Sequence, residues 1–426
     1  MEAIQGERKT SWLGLTRWSS PDTILSRSVQ VLEFFVGMLK RLRALADEHA
    51  AGFRSEGFRR FFTMLASELD DAYFQTLQDH LGTLKFRGGV LISAELGRGN
   101  KGTRYVLRRP PEEGNWLQRL SARSRRSSYS FQLPERDENG AKALEDLRGQ
   151  GINLVADALA QSTDHILSFF TMLRSELGFY VGCLNLHEQL AGKGEPTCLP
   201  EPMAPGEPQL AFEGLYDVCL TLHLDARAVG NDLQADGKRL VMITGANQGG
   251  KSTFLRSVGL AQLMLQCGMY APARRFHADV RDGLFTHYKR EEDATMESGK
   301  LNEELGRMRA IAEAITPGSV LLGNESFAST NEREGSELAR QVLRALLEAG
   351  VKVLFVTHLF DLAGSFHRQG LDIALFLRAE RRPDGTRTFR LVEGKPLPTS
   401  SGPDLYRRLL ATPALAAAAA PHGSAP

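Results

Sequence analysis

Apolar positions change their period midway along the chain. From residue 21 to 42 they recur at helical spacing, as Ile24, Leu25, Val29, Leu32, Phe35, Val36, Leu39 and Leu42. Residues three and four apart share a helical face, so this stripe predicts an amphipathic helix opened by Pro21 and Asp22. Phe58, Phe61, Phe62, Leu65, Leu69 and Phe74 predict a second helix over residues 55–84, with the aromatics read as packing. Residues 88–95 and 103–108 then read as two short strands around a turn at 97–101. Helical spacing returns over 141–191, carried by Leu144, Leu147, Ile152, Leu154, Val155, Leu159, Ile166, Leu167, Phe169, Phe170, Leu173 and Leu177. Five prolines (Pro196, Pro200, Pro202, Pro205 and Pro208) mark residues 192–208 as a linker or crossing loop.

From Gln209 onward the pattern is different. Short apolar runs at 240–243, 319–323 and 351–356 alternate with helical stripes. Continuous apolar strands between helices predict an α/β domain with a mostly parallel central sheet. The expected fold class is therefore α/β, with a C-terminal phosphate-loop domain preceded by a mainly α-helical domain that holds a short strand pair at about 86–108. The expected boundaries are a flexible lead-in at 1–20, the helical domain at 21–205, the α/β domain at 206–410 and a disordered Ala-rich tail at 411–426.

Composition adds little against this picture. With 42% hydrophobic and 24% charged residues in 426, the chain has the make-up of a globular protein. A net charge of +1 gives no global field for nucleic acid or membrane, so any such contact has to be local. The four cysteines, Cys183, Cys198, Cys219 and Cys267, lack metal-ligand spacing and suggest buried thiols in a reducing compartment. Residues 1–10 are polar, without the apolar core of a secretory leader. No apolar run approaches the ~18 residues that span a bilayer. The expectation is a cytoplasmic protein without a membrane partner.

The candidate chemistry sits at the first buried strand. Residues 240–243 run into Gly245-Ala246-Asn247-Gln248-Gly249-Gly250-Lys251-Ser252-Thr253, after which Phe254, Leu255, Val258, Leu260, Leu263 and Met264 follow at helical spacing. Strand, Gly-rich turn and helix form the context that a phosphate-binding loop requires. Glycines let backbone amides converge on phosphate without Cβ atoms in the way, and the helix N-terminus adds its positive end. Lys251 supplies a point charge to the terminal phosphates of ATP, and the Ser252 hydroxyl is a ligand for Mg²⁺.

A second constellation follows. The apolar run at 319–323, expected beside the first strand, ends in Asn324 and Glu325. A carboxylate at that point can orient a water and take its proton, which makes Glu325 the candidate base. Asn324 stands where a metal-holding acid is usual. The run at 351–357 ends in His358, a candidate hydrogen-bond donor to the terminal phosphate.

These residues carry a family resemblance. The loop at 244–253, Asn324-Glu325 followed by Ser329-Thr330-Asn331-Glu332-Arg333-Glu334-Gly335, and Thr357-His358 resemble the ATPase domain of the MutS mismatch-repair family, a branch of the ABC-type ATPases. Gly268-Met269-Tyr270-Ala271-Pro272 and Phe285-Thr286-His287 are similar to segments that follow the loop helix in that family. The resemblance covers roughly 210–410, and the helix, strand-pair, helix order of 21–205 suits the family's lever and clamp. It implies a DNA-binding ATPase in repair or recombination that uses ATP and Mg²⁺ and closes as a homodimer. It also implies an ABC-like signature across the dimer, which here reads Glu297-Ser298-Gly299-Lys300-Leu301-Asn302-Glu303-Glu304-Leu305. Ser298 and Gly299 would offer a hydroxyl and helix N-terminal amides to the facing nucleotide.

Two departures shape the expected function. No Phe-x-Glu wedge or mismatch-reading domain is recognised, so DNA binding is expected without mismatch specificity. Asn324 replaces the Walker B acid, which keeps open a nucleotide-gated scaffold that hydrolyses slowly and works through protein partners. For DNA itself, the local feature is a basic cluster of Arg98, Lys101, Arg104, Arg108, Arg109, Arg119, Arg123, Arg125 and Arg126, with Trp116 and Tyr129 nearby. Arginines with aromatics suit phosphate neutralisation and base stacking. A solvated basic loop is the alternative. An ATPase subunit of a transporter lacks support, because the N-terminal helices are amphipathic.

Overall fold

The computed structural model describes residues 20–87, 89–109, 132–134, 136–289, 299–382 and 386–397. The chain divides into two compact units, Met1–Gly178 and Phe179–Pro426. The expected tail, nearly all of the lead-in, and Trp116, Arg119, Arg123, Arg125, Arg126 and Tyr129 lie outside the described residues.

The first unit is built on helices. In α1 (Pro21–His49), Ser20 caps the start by accepting from the Thr23 amide, and Pro21 fills the first turn. The single helix expected over 55–84 is instead two, α2 (Glu56–Glu68) and α3 (Asp71–Leu84). The break has a local cause. Leu69 leaves helical geometry at φ −112°, ψ 51°, and the Asp70 carboxylate accepts from the Tyr73 amide at 2.7 Å. An aspartate competes for backbone donors and starts a helix better than it continues one. Strands β1 (Leu91–Leu96) and β2 (Gly102–Arg108) pair antiparallel. The long α4 (Glu138–Gly192) follows, 55 residues in one helix.

The predicted stripe is the core of this unit. Leu25, Val29, Leu32, Phe35 and Val36 of α1 bury against Phe74 and Leu81 of α3 and Ile152, Ala156 and Phe170 of α4. Phe35 and Phe170 stack with ring centroids 5.9 Å apart. Each such side chain contributes about 1.5–3 kcal/mol by leaving water. The hairpin meets α4 at Gly151, where a Cβ would collide with Ile92.

The second unit continues with β3 (Glu201–Met203), β4 (Leu210–Leu215), α5 (Val218–His223), β5 (Asn231–Gln234), β6 (Leu240–Thr244) and α6 (Lys251–Gln266). Then come β7 (Arg275–Asp279), β8 (Leu284–Tyr288), α7 (Lys300–Ala314), β9 (Val320–Asn324), α8 (Glu332–Glu348), β10 (Lys352–Val356), α9 (Phe360–Gln369), β11 (Ala374–Arg381) and β12 (Arg387–Glu393). Six strands form one sheet in the order β12-β11-β6-β10-β9-β8, parallel except for β12. The overall class is mixed α/β with a mostly parallel sheet.

The sheet is covered on both faces. Val241 and Ile243 enter one core with Phe254, Leu255 and Val258 of α6. Leu240 and Met242 enter the other with Leu343 and Leu347 of α8 and Leu362 and Phe366 of α9. Side chains alternate along a strand, so burial on both faces requires an unbroken apolar run.

Three expectations are corrected here. Strand β9 does not lie beside β6; β10 stands between them, bonded to both. The proline-rich 192–208 stretch is not a free linker. Its β3 pairs with β7, and Cys198 and Ala271 exchange backbone hydrogen bonds at 3.1 and 2.7 Å. Pro202 is tolerated in β3 because this strand is the edge of a second sheet, ordered β3-β7-β4-β5, and the other four prolines lie in irregular chain. The thiols are not buried: Cys219 and Cys267 are exposed, and Cys183 and Cys198 are half-buried. No helix among the described residues is long and apolar enough to cross a membrane.

One buried charge tests the packing. Lys352 opens β10 at 2% exposure, and its Nζ donates to the Gln209 carbonyl at 3.2 Å. Burial, assisted by the Arg281 charge, pushes its pKa down to about 7. The unfolded chain therefore holds more protons than the folded one between that value and the ordinary lysine pKa. Stability from this group should rise with pH through that window, by at most about 1.4 kcal/mol per pH unit. Lys352→Met should raise stability at pH 7 and flatten the rise, as read by urea unfolding at pH 7 and 9.5. An unchanged slope would overturn the assignment.

Candidate nucleotide site

The loop that joins β6 to α6 has the backbone that phosphate binding needs. Gly245 has φ 118° and Gly250 φ 89°, the left-handed region where a Cβ is strained. A Cβ on Gly245 would also lie 2.8 Å from the Ala379 amide nitrogen of β11. Gln248, at φ 61°, takes the same region with a side chain, and its Oε1 accepts from Arg387 at 2.6 Å. Ala246 is half-buried, Asn247 and Gln248 are exposed and Gly249 is buried. The amides of this turn lead directly into the α6 N-terminus, where Gly250 is the cap residue.

Lys251 is 4% exposed. Its Nζ folds back onto the loop, donating to the carbonyls of Gly245 at 2.8 Å and Ala246 at 3.1 Å. Burial lowers its pKa, and the charge of Glu325 partly offsets this. Next along α6, Ser252 Oγ donates to Asn324 Oδ1 at 2.9 Å. So the loop and the end of β9 meet although β10 separates their strands. Thr253, half-buried, continues the helix.

Glu325 follows β9 at φ 54°, its amide bonded to the Val356 carbonyl at 2.9 Å. His358 follows β10 and is half-buried. It is placed by Thr357, whose amide bonds to Ile243 O at 3.0 Å and whose Oγ1 accepts from Leu359 at 3.0 Å. Loop, Glu325 and His358 thus lie at the carboxyl ends of three adjacent parallel strands, the edge where open α/β sheets hold ligands. Ser298 lies outside the described residues. Gly299 caps α7, and its carbonyl accepts from Asn302 and Glu303 of that helix.

The oxygen donors suit Mg²⁺. Ser252 Oγ and Asn324 Oδ1 are hard oxygen donors 2.9 Å apart, and Mg²⁺ is usually held by few protein oxygens with phosphates and waters. Both are neutral, so together they would hold the cation less tightly than a pair with a carboxylate.

Sequence reasoning missed three contacts. Arg387 on β12 braces the loop through Gln248, and the Phe389 carbonyl packs against Gly250. His287 bonds to Ser326 at 2.6 Å. Each joins residues distant in sequence, and no periodic pattern points to any of them.

Comparison with known proteins places these elements. Residues 1–193 match the model described as MutS2 N-terminal domain. Residues 241–403 match MutS domain V, which takes in the loop, Asn324, Glu325 and His358. The chain belongs to the MutS family. Among MutS relatives, the DNA mismatch repair protein MutS of Thermotoga sp. is 37% identical over 135 residues, 32% of this chain and 17% of that protein. Endonuclease MutS2 of Thermus thermophilus is 34% identical over 191 residues, 44% and 25% of the two chains. DNA mismatch repair protein MSH3 of Eremothecium gossypii is 30% identical over 172 residues, 38% and 16%. The matches thus span a quarter or less of the length of these MutS relatives.

Proposed function

We propose that this chain is a MutS-like ATPase acting on DNA in repair or recombination, with ATP binding and hydrolysis driving closure of two copies. The observation that carries the reading is the hydrogen bond between Ser252 and Asn324, 2.9 Å long. It brings the phosphate-cradling loop and the residue before Glu325 into one small volume. The names of the relatives, in DNA mismatch repair and as an endonuclease, support the DNA side.

The roles follow from the chemistry. Amides of the 245–250 turn and Lys251 hold the phosphates of ATP. Ser252 and Asn324 hold Mg²⁺, which when bound neutralises charge on the β- and γ-phosphates. Glu325 orients a water and takes its proton as the oxygen attacks the γ-phosphorus and the bond to ADP breaks. His358 donates to the γ-phosphate. Ser298 and Gly299 of a second copy complete the site, with residues 329–334 lining the contact. Steady-state ATP hydrolysis with and without duplex DNA is the test. A rate equal to that of Lys251→Ala under both conditions overturns the reading.

Asn324 favours a second reading, a nucleotide-gated scaffold, because a neutral amide holds a Mg²⁺-bound water less well than a carboxylate. ATP binding at normal affinity with turnover no faster than Glu325→Gln would decide for it.

The DNA side has its own test. Arg98, Lys101, Arg104, Arg108 and Arg109 are exposed on and beside the β1–β2 hairpin. Arg104 pairs with Glu95 at 3.3 Å, and Arg108 Nε donates to Ser93 at 2.9 Å. If six arginines of the cluster reach phosphate, log affinity should fall with log salt at a slope of roughly −5. Replacing Arg123, Arg125 and Arg126 with Ala should flatten the slope by up to about three units and leave ATP affinity unchanged. Fluorescence anisotropy across a salt series measures it, and a triple variant with the wild-type slope overturns it.

A further inference from the structure

The turn that carries Glu325 is gripped by a side chain to which the proposed chemistry gives no role. His287, on β8, is fully buried. Its Nδ1 lies 2.6 Å from Ser326 Oγ, and its Nε2 lies 3.1 Å from the Glu304 carbonyl oxygen on α7. A carbonyl only accepts, so Nε2 carries the proton and donates. Nδ1 of the neutral ring then accepts from the Ser326 hydroxyl, which also has the His287 backbone carbonyl within reach at 3.1 Å. Burial holds the imidazole below its ordinary pKa, in keeping with a neutral ring. The ring also stacks on Phe327, with centroids 5.8 Å apart.

The backbone on the other side of these contacts is unusual. Glu325 has φ 54° and Phe327 φ 62°. Two left-handed residues in three, both with side chains, persist only where their surroundings over-determine them. Ser326 between them is 0% exposed and Phe327 1% exposed. Gly335 of α8 approaches so closely that a Cβ there would collide with the Phe327 carbonyl. Of these restraints, only His287 also bonds to α7.

We infer that His287 is the positioning residue for the base: through Ser326 it sets the direction of the Glu325 carboxylate, and through Glu304 it ties that direction to α7. The inference rests on the reading of Glu325 as the hydrolytic base. Helix α7 is capped by Gly299, the residue expected to face the nucleotide of the second copy. A displacement of α7 can therefore reach Glu325 through the imidazole, without passing through the phosphate loop.

The test uses the full chain with Ser326→Ala, His287→Ala and His287→Gln. Ser326→Ala should lower kcat for ATP tenfold or more, with KM and the unfolding temperature nearly unchanged. His287→Ala should lower kcat at least as far. The Gln amide donates to Glu304 and accepts from Ser326, so His287→Gln should recover most of the loss. Because the two residues act as one unit, adding Ser326→Ala to His287→Ala should cost little more. Independently of turnover, the nitrogen-15 spectrum of wild-type His287 should show a neutral ring protonated on Nε2. Should His287→Ala fail to fold, Ser326→Ala and the spectrum carry the test. Wild-type kcat in Ser326→Ala, a ring protonated on Nδ1 alone, or kcat loss matched by a fall in unfolding temperature would each overturn the inference. Failure of the underlying reading looks different: Glu325→Gln would then hydrolyse ATP as fast as wild type.

Discussion

Titration of Lys251→Ala with ATP is expected to show affinity reduced on the order of a hundredfold. The loss follows from one charged contact to phosphate, worth about 3 kcal/mol at its upper range. A second effect adds to it. The Lys251 ammonium bridges the Gly245 and Ala246 carbonyls, so it also helps to shape the turn that supplies the amides. The core beneath the loop is formed by Val241, Ile243, Phe254 and Leu255 and does not include this side chain, so the variant should fold with nearly wild-type cooperativity. Equal ATP affinities for variant and wild type would exclude the loop as the nucleotide site.

Glu325→Gln should separate binding from turnover. The amide keeps the shape of the carboxylate but takes no proton, so hydrolysis should fall by roughly 10²–10⁴ while ATP affinity stays within a few-fold of wild type. In that background ATP has no exit by hydrolysis, and light scattering should report a dimer tightened by nucleotide. Asn324→Asp is the complement. A carboxylate next to Ser252 Oγ should lower the Mg²⁺ concentration needed for half-maximal turnover, or raise the rate. Wild-type hydrolysis by Glu325→Gln would remove Glu325 from the chemistry.

The strands and the loop are legible in the sequence for a physical reason. Strands β6, β9 and β10 are buried on both faces, so each is an unbroken apolar run that needs no neighbour to be recognised. The loop is equally local, because its glycines answer a backbone requirement within nine residues. Sheet order is not local. Nothing in the runs themselves says that β10 inserts between β6 and β9, and the expectation of adjacency was wrong. The 192–208 stretch is irregular chain as its prolines signal, except at Glu201–Met203, where an edge strand tolerates Pro202. Likewise the aromatic stripe at 55–84 outweighed Asp70, whose capping bond breaks the helix. The grip of His287 on Ser326 spans 39 residues and has no pattern at all, since one buried histidine in a strand looks like any other.

The strand order also governs how this unit reaches its native state. The central strand, β6, takes both of its partners, β10 and β11, from far downstream, and even the side chain of Thr244 bonds to Leu377, 133 residues away. Chain closure on that scale has to precede the gain from pairing, so folding should be slow for the unit's size. During synthesis the strand and loop of β6 emerge long before β10 exists to cover them. At ≈ 5–20 residues per second the exposed apolar run waits several seconds for its neighbours, a window in which chaperones or self-association compete for it.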